Sequence, residues 1–575
     1  MDFFGRFAAV VVLILLAPVA APAALDGPTM AETGVVVQIQ LTRSDQFGQL
    51  DQSLDLWSHR PDPKTGKVDA WVSWEQLAAL RAAGFKVEVD AVRTIELATL
   101  GQPLAGQVNA VPGYPCYRTV EETFASLQAL ATNHPDLATW TTIGPTWEKV
   151  NAPLSGGFDI GALVITNGNA PGPKAPFILM SAIHAREMAT AEISTRFAEM
   201  LVNGYGVDPD ITWILDHTVI HVIPHANPDG RKKAEPGVLW RKNTNGTACG
   251  TTSSSRGIDL NRNSTYFWGP PSSSGTPCSD TYRGPSVASE PETQAIEAYL
   301  ASVFEDQRGP ALTDAAPDTT EGVFITLHSY SGLVLYPWGG GNAGTAPNAA
   351  GLATLGRKFG WYNNYDVCRP GDCLYEANGT TDDLAYGIYG VASYTFEVGT
   401  NFFESCTSFE NTVRPTNTNA LLYAAKAARQ PYREPKGPEP FGLALSAVSV
   451  TQGTPVTLSA TVSDARYFSG GWGTEPTQAV TEARYTIDAA PWAAAESFPL
   501  SAQDGVFDET AEPVTGTVDT STLAPGRHLI HVYGLDSAGN RGVPTAIFLE
   551  VTANNSIFND GFDSGDLTSW SLTDP

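Results

Sequence analysis

Apolar and polar positions along the chain follow two rhythms, one of period two and one close to 3.6. "GVVVQIQL" (34–41) is a β-branched run and reads as a strand, and "FGQLDQSLDLW" (47–57) reads as an amphipathic helix. "KVDAWVSW", "EQLAALRAAGF" and "KVEVD" continue as strand, helix and strand, so residues from Thr33 to Asp90 form a small α/β unit. The stretch "LGQPLAGQVNAVPGYP", broken by Gly and Pro, separates it from a much larger region. From Cys116 to Arg429 the compact runs "GALVITNG", "FILMSAI", "HTVIHVIPH", "VFITLHSY" and "SYTFEVG" are predicted strands. The segments "VEETFASLQALATNHP", "ATAEISTRFAEMLVNGYG" and "EPETQAIEAYLASVF" lie among them and are predicted helices. That alternation predicts an α/β domain, a mixed, mostly parallel sheet with helices on both faces.

The pattern changes again near residue 430. "RQPYREPKGPEPFG" is dense in Pro and charge and reads as a linker. "LALSAVSV", "PVTLSATVSD", "EARYTID", "HLIHVYGLD" and "AIFLEVT" are short alternating strands without helices, as in a β-sandwich. The final stretch is a polar tail in which Asp560, Asp563 and Asp566 recur every third residue, a spacing that meets no known ion-binding loop.

Composition narrows the function. A formal charge of −27 over 575 residues would repel a phosphate backbone, which argues against a nucleic-acid partner. The N-terminal "MDFFGRFAAVVVLILLAPVAAPAALDG" places Arg6 before an apolar core and then small residues, the order of a secretory signal with cleavage near Ala23 or Ala24. Its core is shorter than the roughly 20 residues of a spanning helix, and no later segment qualifies. Export, and not a membrane span, is therefore expected. Six cysteines in an exported chain suggest disulfides, with fifteen possible pairings.

Candidate chemistry starts at "SAIHAREMAT". His184 and Glu187 lie three residues apart, a spacing that lets two side chains converge on one ion. His328 ends the predicted strand "VFITLHSY" much as His184 ends "FILMSAIH". Ligands gather beyond the carboxyl ends of strands in open α/β sheets, and two His with one carboxylate is a catalytic zinc set. His217, His221 and His225 share parity on a predicted strand. Four strand residues span about 13 Å, so these are expected to be scaffold.

From Tyr114 to Arg429 the chain resembles the zinc carboxypeptidases of the A/B type, including secreted bacterial carboxypeptidase T-like enzymes. The resemblance rests on "HAREMAT", "NPDG", "LWRKN", "GIDLNRN", "LHSYSGLVLYPWG", "CLYEANGTTDDLAYG" and "YTFEVGT" in that order. It implies one Zn2+ per chain held by His184, Glu187 and His328, with Asp259 orienting His184. Glu397 is implied as general base and Arg241 as oxyanion partner. Arg186, Asn261, Arg262 and Tyr375 would bind the substrate, the last three at its terminal carboxylate. Asp382, seven residues after Tyr375, would lie at the floor of the specificity pocket and favour terminal Lys or Arg. A disulfide between Cys249 and Cys278 is implied in the same way. Cys368 and Cys373, five apart, can staple the loop before Tyr375, which leaves Cys116 and Cys406.

The expected organisation is then a signal peptide (1–24), an α/β propeptide-like domain with its connecting segment (25–110), a catalytic domain (111–429), a linker (430–440), a β-sandwich (441–552) and a tail (553–575). The sandwich carries no site residue and is expected to be dispensable for small substrates. The expected function is a monomeric secreted metallocarboxypeptidase acting on peptide and protein C-termini. Two alternatives are a cell-wall peptide amidase or endopeptidase on the same fold, and a non-catalytic protein that binds through the β-sandwich.

Overall fold

A computed structural model describes residues 34–554 except 43–45, 47–49, 51–53, 58–64, 153–155, 248, 250–254, 341–342 and 494–495. The expected signal peptide and most of the polar tail lie outside the described residues. Among those described, no helix is long and apolar enough to cross a membrane.

The N-terminal unit is a four-stranded sheet of β1 (Gly34–Gln40), β2 (Asp55–Leu56), β3 (Lys67–Ser73) and β4 (Lys86–Val89), in the order β2-β3-β1-β4. Val35, Val37 and Ile39 of β1 and Val68, Ala70 and Val72 of β3 form its core with Leu77 and Leu80 of the helix Trp74–Ala82. That helix begins at a reciprocal Ser73–Gln76 capping box. The predicted helix 47–57 is not seen where it is described: Asp55 and Leu56 instead pair with Trp71 and Ala70. A second helix, Ala91–Ala98, capped by Asp90, lies where no element was predicted.

The central sheet has eight strands: β5 (Ala138–Pro145), β6 (Asp159–Ile165), β7 (Ala175–Ser181), β8 (Thr218–Ile223), β9 (Val323–His328), β10 (Leu333–Leu335), β11 (Asp366–Cys368) and β12 (Ala392–Glu397). Their order is β11-β10-β12-β9-β7-β8-β6-β5, and the four strands β12, β9, β7 and β8 run parallel. Both faces are covered, which is why β7 reads as an unbroken apolar run. Phe177 and Leu179 pack into one core with the helices Met188–Gly204, Ala349–Asn363 and Arg414–Ala427. Ile178 and Met180 pack on the other face with Pro291–Val303. The predicted strand from 217 starts one residue late, since His217 is the last residue of the helix Pro209–His217. The three histidines therefore do not share a strand face: His221 lies in β8 and shares a hydrogen bond with Tyr299 Oη (2.8 Å), and His225 is buried past its end.

The C-terminal strands β13–β20 (Glu439–Leu445, Ser449–Thr451, Val456–Ser463, Val480–Ile487, Phe498–Ala502, Ala511–Val518, Gly526–Asp536 and Thr545–Thr552) form one mostly antiparallel eight-stranded sheet. It curls so that its two halves enclose a common core containing Leu458, Val462, Tyr485, Val514, Val532 and Leu549. The stretch expected to be a linker is packed instead. Tyr432 and Glu434 are each 1% exposed. Ala546 of β20 and Val543, just before that strand, belong to the main core of the central domain. Across this junction Lys358 Nζ meets Glu439 Oε1 at 2.5 Å, and Arg357 pairs with Glu475. Pro supplies rigidity here; the apolar and ionic partners on both sides turn a Pro-rich segment into an interface.

Candidate active site

Three adjacent parallel strands place three of the candidate residues. His184 follows β7, His328 ends β9, and Glu397 ends β12, where it is the register partner of His328. The fall from strand to turn leaves each side chain beyond the carboxyl edge of the sheet. Glu187 is the N-cap of the helix Met188–Gly204 but caps nothing with its side chain. Its carboxylate is left free to face the histidines.

His184 Nδ1 lies 2.8 Å from Glu187 Oε1, and His328 Nδ1 lies 3.3 Å from Glu187 Oε2. The two imidazole Nδ1 atoms are 3.1 Å apart. All three residues are buried, and one ligand atom from each falls within 4.8 Å of the others. Two ring nitrogens facing one carboxylate at this distance suit a shared cation, and the buried Glu187 Oε2 has no hydrogen-bond donor. The donor set fits a divalent ion such as zinc.

Asp259 organises the surroundings. Its Oδ1 lies 3.1 Å from His184 Nε2, turning Nδ1 of that ring towards Glu187. Its Oδ2 accepts from Arg241 Nη2 (2.9 Å) and Nε (3.2 Å). Despite burial, the Arg241 and His184 charges hold the Asp259 carboxyl well below its usual range. Burial and Arg241 lower the His184 imidazole, whereas for His328 the Glu187 and Glu397 charges outweigh burial and raise it. Burial pushes the Glu397 carboxyl up to about 8, with His328 opposing and Glu187 reinforcing the shift. A cation seated at Glu187 would draw it down again.

One cavity is lined by His184, Glu187, His328, Arg241, Glu397, Asn261, Arg262, Tyr375, Asp382 and Arg186, which are all the site residues singled out in the sequence except Asp259. Asn261 and Arg262 sit on a single 3-10 turn, Leu260–Arg262, that starts at Asp259. Arg262 Nη2 donates to Tyr375 Oη at 3.2 Å, and Arg262 Nε is buried with no acceptor. The Asn261 side chain accepts from Thr381 N. Asp382, 3% exposed, lines the cavity, whereas its neighbour Asp383 is turned away to accept from Gly339 N and Gly340 N. The cysteines pair as Cys249–Cys278, Cys368–Cys373 and Cys116–Cys406.

Two further residues at this site carry no local sequence signal. Trp57 of the N-terminal unit lines the cavity, and Asp55 of the same unit binds Arg186 at its wall. Arg186 Nη1 donates to both Asp55 oxygens at 2.9 Å, Asp280 stands 3.7 Å from the same nitrogen, and Trp57 meets Phe402 edge-on at 6.0 Å. Tyr330, two residues past His328, completes this aromatic cluster.

Residues 123–420 match the family model described as zinc carboxypeptidase. The chain is 28% identical over 417 residues to carboxypeptidase A1 of Mus musculus, covering 68% of this chain and 90% of that protein. It is 30% identical over 341 residues to a zinc carboxypeptidase of Saccharothrix mutabilis subsp. capreolus, covering 56% and 71%. Carboxypeptidase B of Homo sapiens is 26% identical over 371 residues, covering 63% and 82%. Among solved structures, carboxypeptidase A from Helicoverpa armigera superposes with a TM-score of 0.56 at 24% identity, over 69% of this chain and 98% of that one. This last likeness bears on the fold.

Proposed function

The chain belongs to the zinc carboxypeptidase family, and we propose that it is an exported enzyme that removes the terminal residue, preferentially Lys or Arg, from peptides and proteins. The supporting observation is the meeting of a His-Glu-His cluster, a buried carboxyl and an arginine clamp in one cavity.

In this reading His184, Glu187 and His328 hold zinc through two imidazole nitrogens and a carboxylate. The bound ion supplies Lewis-acid polarisation of the scissile carbonyl and a water of lowered pKa. Arg262, steadied by the Asn261 carbonyl at 2.7 Å, presents a planar fork to the terminal carboxylate, and Asn261 adds a polar side chain. Tyr375 Oη, already at Arg262, closes over the same group. Glu397 accepts the proton of the attacking water and returns it to the leaving amine, which needs a carboxyl whose affinity can serve both steps. Arg241, fixed by Asp259, places a permanent positive charge where negative charge develops on the carbonyl oxygen. Arg186 contacts the peptide further from its end. A terminal lysine or arginine pairs with Asp382 at the end of the cavity; an apolar side chain would leave that carboxylate buried and unpaired.

We further read the N-terminal unit as a propeptide. Asp55 holds Arg186, and Trp57 lies in the cleft, so the docked unit competes with substrate for the same groups. Export is supported by the N-terminal charge and apolar pattern. Digestion of peptides ending in Lys, Arg, Leu and Phe, with and without chelator, tests the proposal. Chelator-sensitive release of single terminal residues is expected; internal cleavage, or activity untouched by chelation, would contradict it.

A further inference from the structure

Between the helix Ala91–Ala98 and the enzyme domain, residues 102–110 run as an exposed strap. Val108 is 90% exposed and Leu104 54%. Gln107 gathers the strap onto itself: its side-chain amide donates to the carbonyls of Asn109 and Val111 and accepts from Leu104 N and Gly113 N. The strap ends abruptly. Val111 is fully buried, its amide donates to Tyr117 O at 2.8 Å, and it belongs to the main core. Cys116, a few residues on, is bonded to Cys406.

Ala110 sits at that boundary in an unusual setting. Its backbone N lies 3.1 and 3.2 Å from the two carboxylate oxygens of Glu122. One amide hydrogen thus faces two acceptors, of which Oε2 also accepts from Thr119 N at 2.9 Å. Ala110 has φ +69°, a left-handed conformation that alanine rarely adopts. Burial would raise the Glu122 carboxyl, but the Thr119 and Ala110 amides hold it below its ordinary range, so it is anionic at neutral pH.

We propose that processing of the strap ends at the Asn109–Ala110 bond and that the new α-ammonium of Ala110 is held by Glu122. This rests on the propeptide reading. Water adds across the peptide C–N bond; Asn109 departs as a carboxylate, and the Ala110 amine takes a proton to become an ammonium. An endopeptidase acting in trans provides the catalysis. It is not of the trypsin type at this bond, because no Lys or Arg lies between Arg93 and Arg118. Cleavage leaves the nitrogen where it is but gives it a positive charge and three N–H groups, enough to serve both Glu122 oxygens separately. The φ torsion of Ala110 ceases to exist with the bond, so its strained conformation is released. Further trimming would have to pull out Val111.

The test is limited digestion of the full chain with a broad-specificity endopeptidase, followed by N-terminal sequencing of the surviving enzyme. Digestion is expected to stop with Ala110 first. A stable terminus at any residue other than Ala110 would overturn the inference. Glu122→Gln, which keeps the capping geometry, should lower the thermal midpoint more in the processed protein than in the unprocessed one, and the excess should vanish at a pH that deprotonates the ammonium. An equal loss in both forms would also overturn it, and if the variant does not accumulate, the wild-type terminus decides alone. Activity before and after cutting separates the two readings: unchanged activity sinks latency and leaves the Ala110 terminus standing, whereas a misplaced terminus does the reverse.

Discussion

Glu397 and His328 are register partners at the ends of neighbouring parallel strands, so one sheet edge fixes both an implied metal ligand and the group read as the proton carrier. Their separation of roles is testable. Glu397→Gln should reduce kcat by about 100-fold or more while metal analysis still finds zinc bound. His184→Ala and His328→Ala should lose zinc and activity together. An empty site in the Glu397 variant would make it a ligand, contrary to the reading.

Asp382 should set the choice of terminal residue. Leaving one member of a buried charge pair without its partner costs roughly 2–5 kcal/mol. Asp382→Ile is therefore expected to reduce kcat/KM for peptides ending in Lys by about 30-fold or more and to raise it for those ending in Leu or Phe. An unchanged order of preference would remove Asp382 from this role, and Asp383, occupied by two backbone amides, could not take it over.

Latency should depend on pH through Asp55. Burial lifts its carboxyl from 3.8 to about 7 in the docked state, with Arg186 opposing and Asp280 reinforcing the shift. The docked unit holds this proton more tightly than a released one. Its contribution to docking is therefore fully present below 3.8 and is lost as pH rises through about 7. The activity of unprocessed chain relative to processed enzyme, which cancels the pH response of catalysis itself, should rise between about pH 5 and pH 8. Asp55→Asn should flatten that ratio; a ratio that falls with pH would refute the assignment.

The C-terminal sheet should be needed for stability. Lys358 is 0% exposed and pairs with Glu439 across the junction, and the Glu439 charge offsets burial that would otherwise depress the Lys358 ammonium further. Breaking such a pair typically costs about 3–5 kcal/mol. Glu439→Gln should lower the melting temperature measurably, and a chain ending at Arg429 should aggregate or melt far below the full chain. A truncated enzyme of undiminished stability would restore the expectation of an independent unit.

Legibility in the sequence tracks the range of the interactions involved. The strand that leads to His184 and those that end at His328 and Glu397 are runs rich in apolar, aromatic and β-branched residues, and their pattern survives because both sheet faces are buried. The three-residue strands β10 and β11 are too short for a pattern to single them out. Asp55 and Trp57 read as parts of an amphipathic helix, since nothing local says that they meet Arg186 and Phe402, more than a hundred residues away. The Pro-rich stretch around Tyr432 reads as a linker because its partners, the Ala349–Asn363 helix and Arg541, are distant in sequence. His217 reads as part of a strand because apolar runs flank it on both sides in "WILDHTVIHVI" and no Gly or Pro marks the helix-to-strand junction.

Whether the cavity acts on a free C-terminus is decided by comparing one peptide ending in lysine with the same peptide amidated at its C-terminus, using processed, zinc-loaded enzyme and mass spectrometry. Rapid loss of the single lysine from the free acid is expected, with little or no loss from the amide, because Arg262, Asn261 and Tyr375 then lack a carboxylate to hold. Equal cleavage of both, or cuts away from the end, would contradict the exopeptidase assignment.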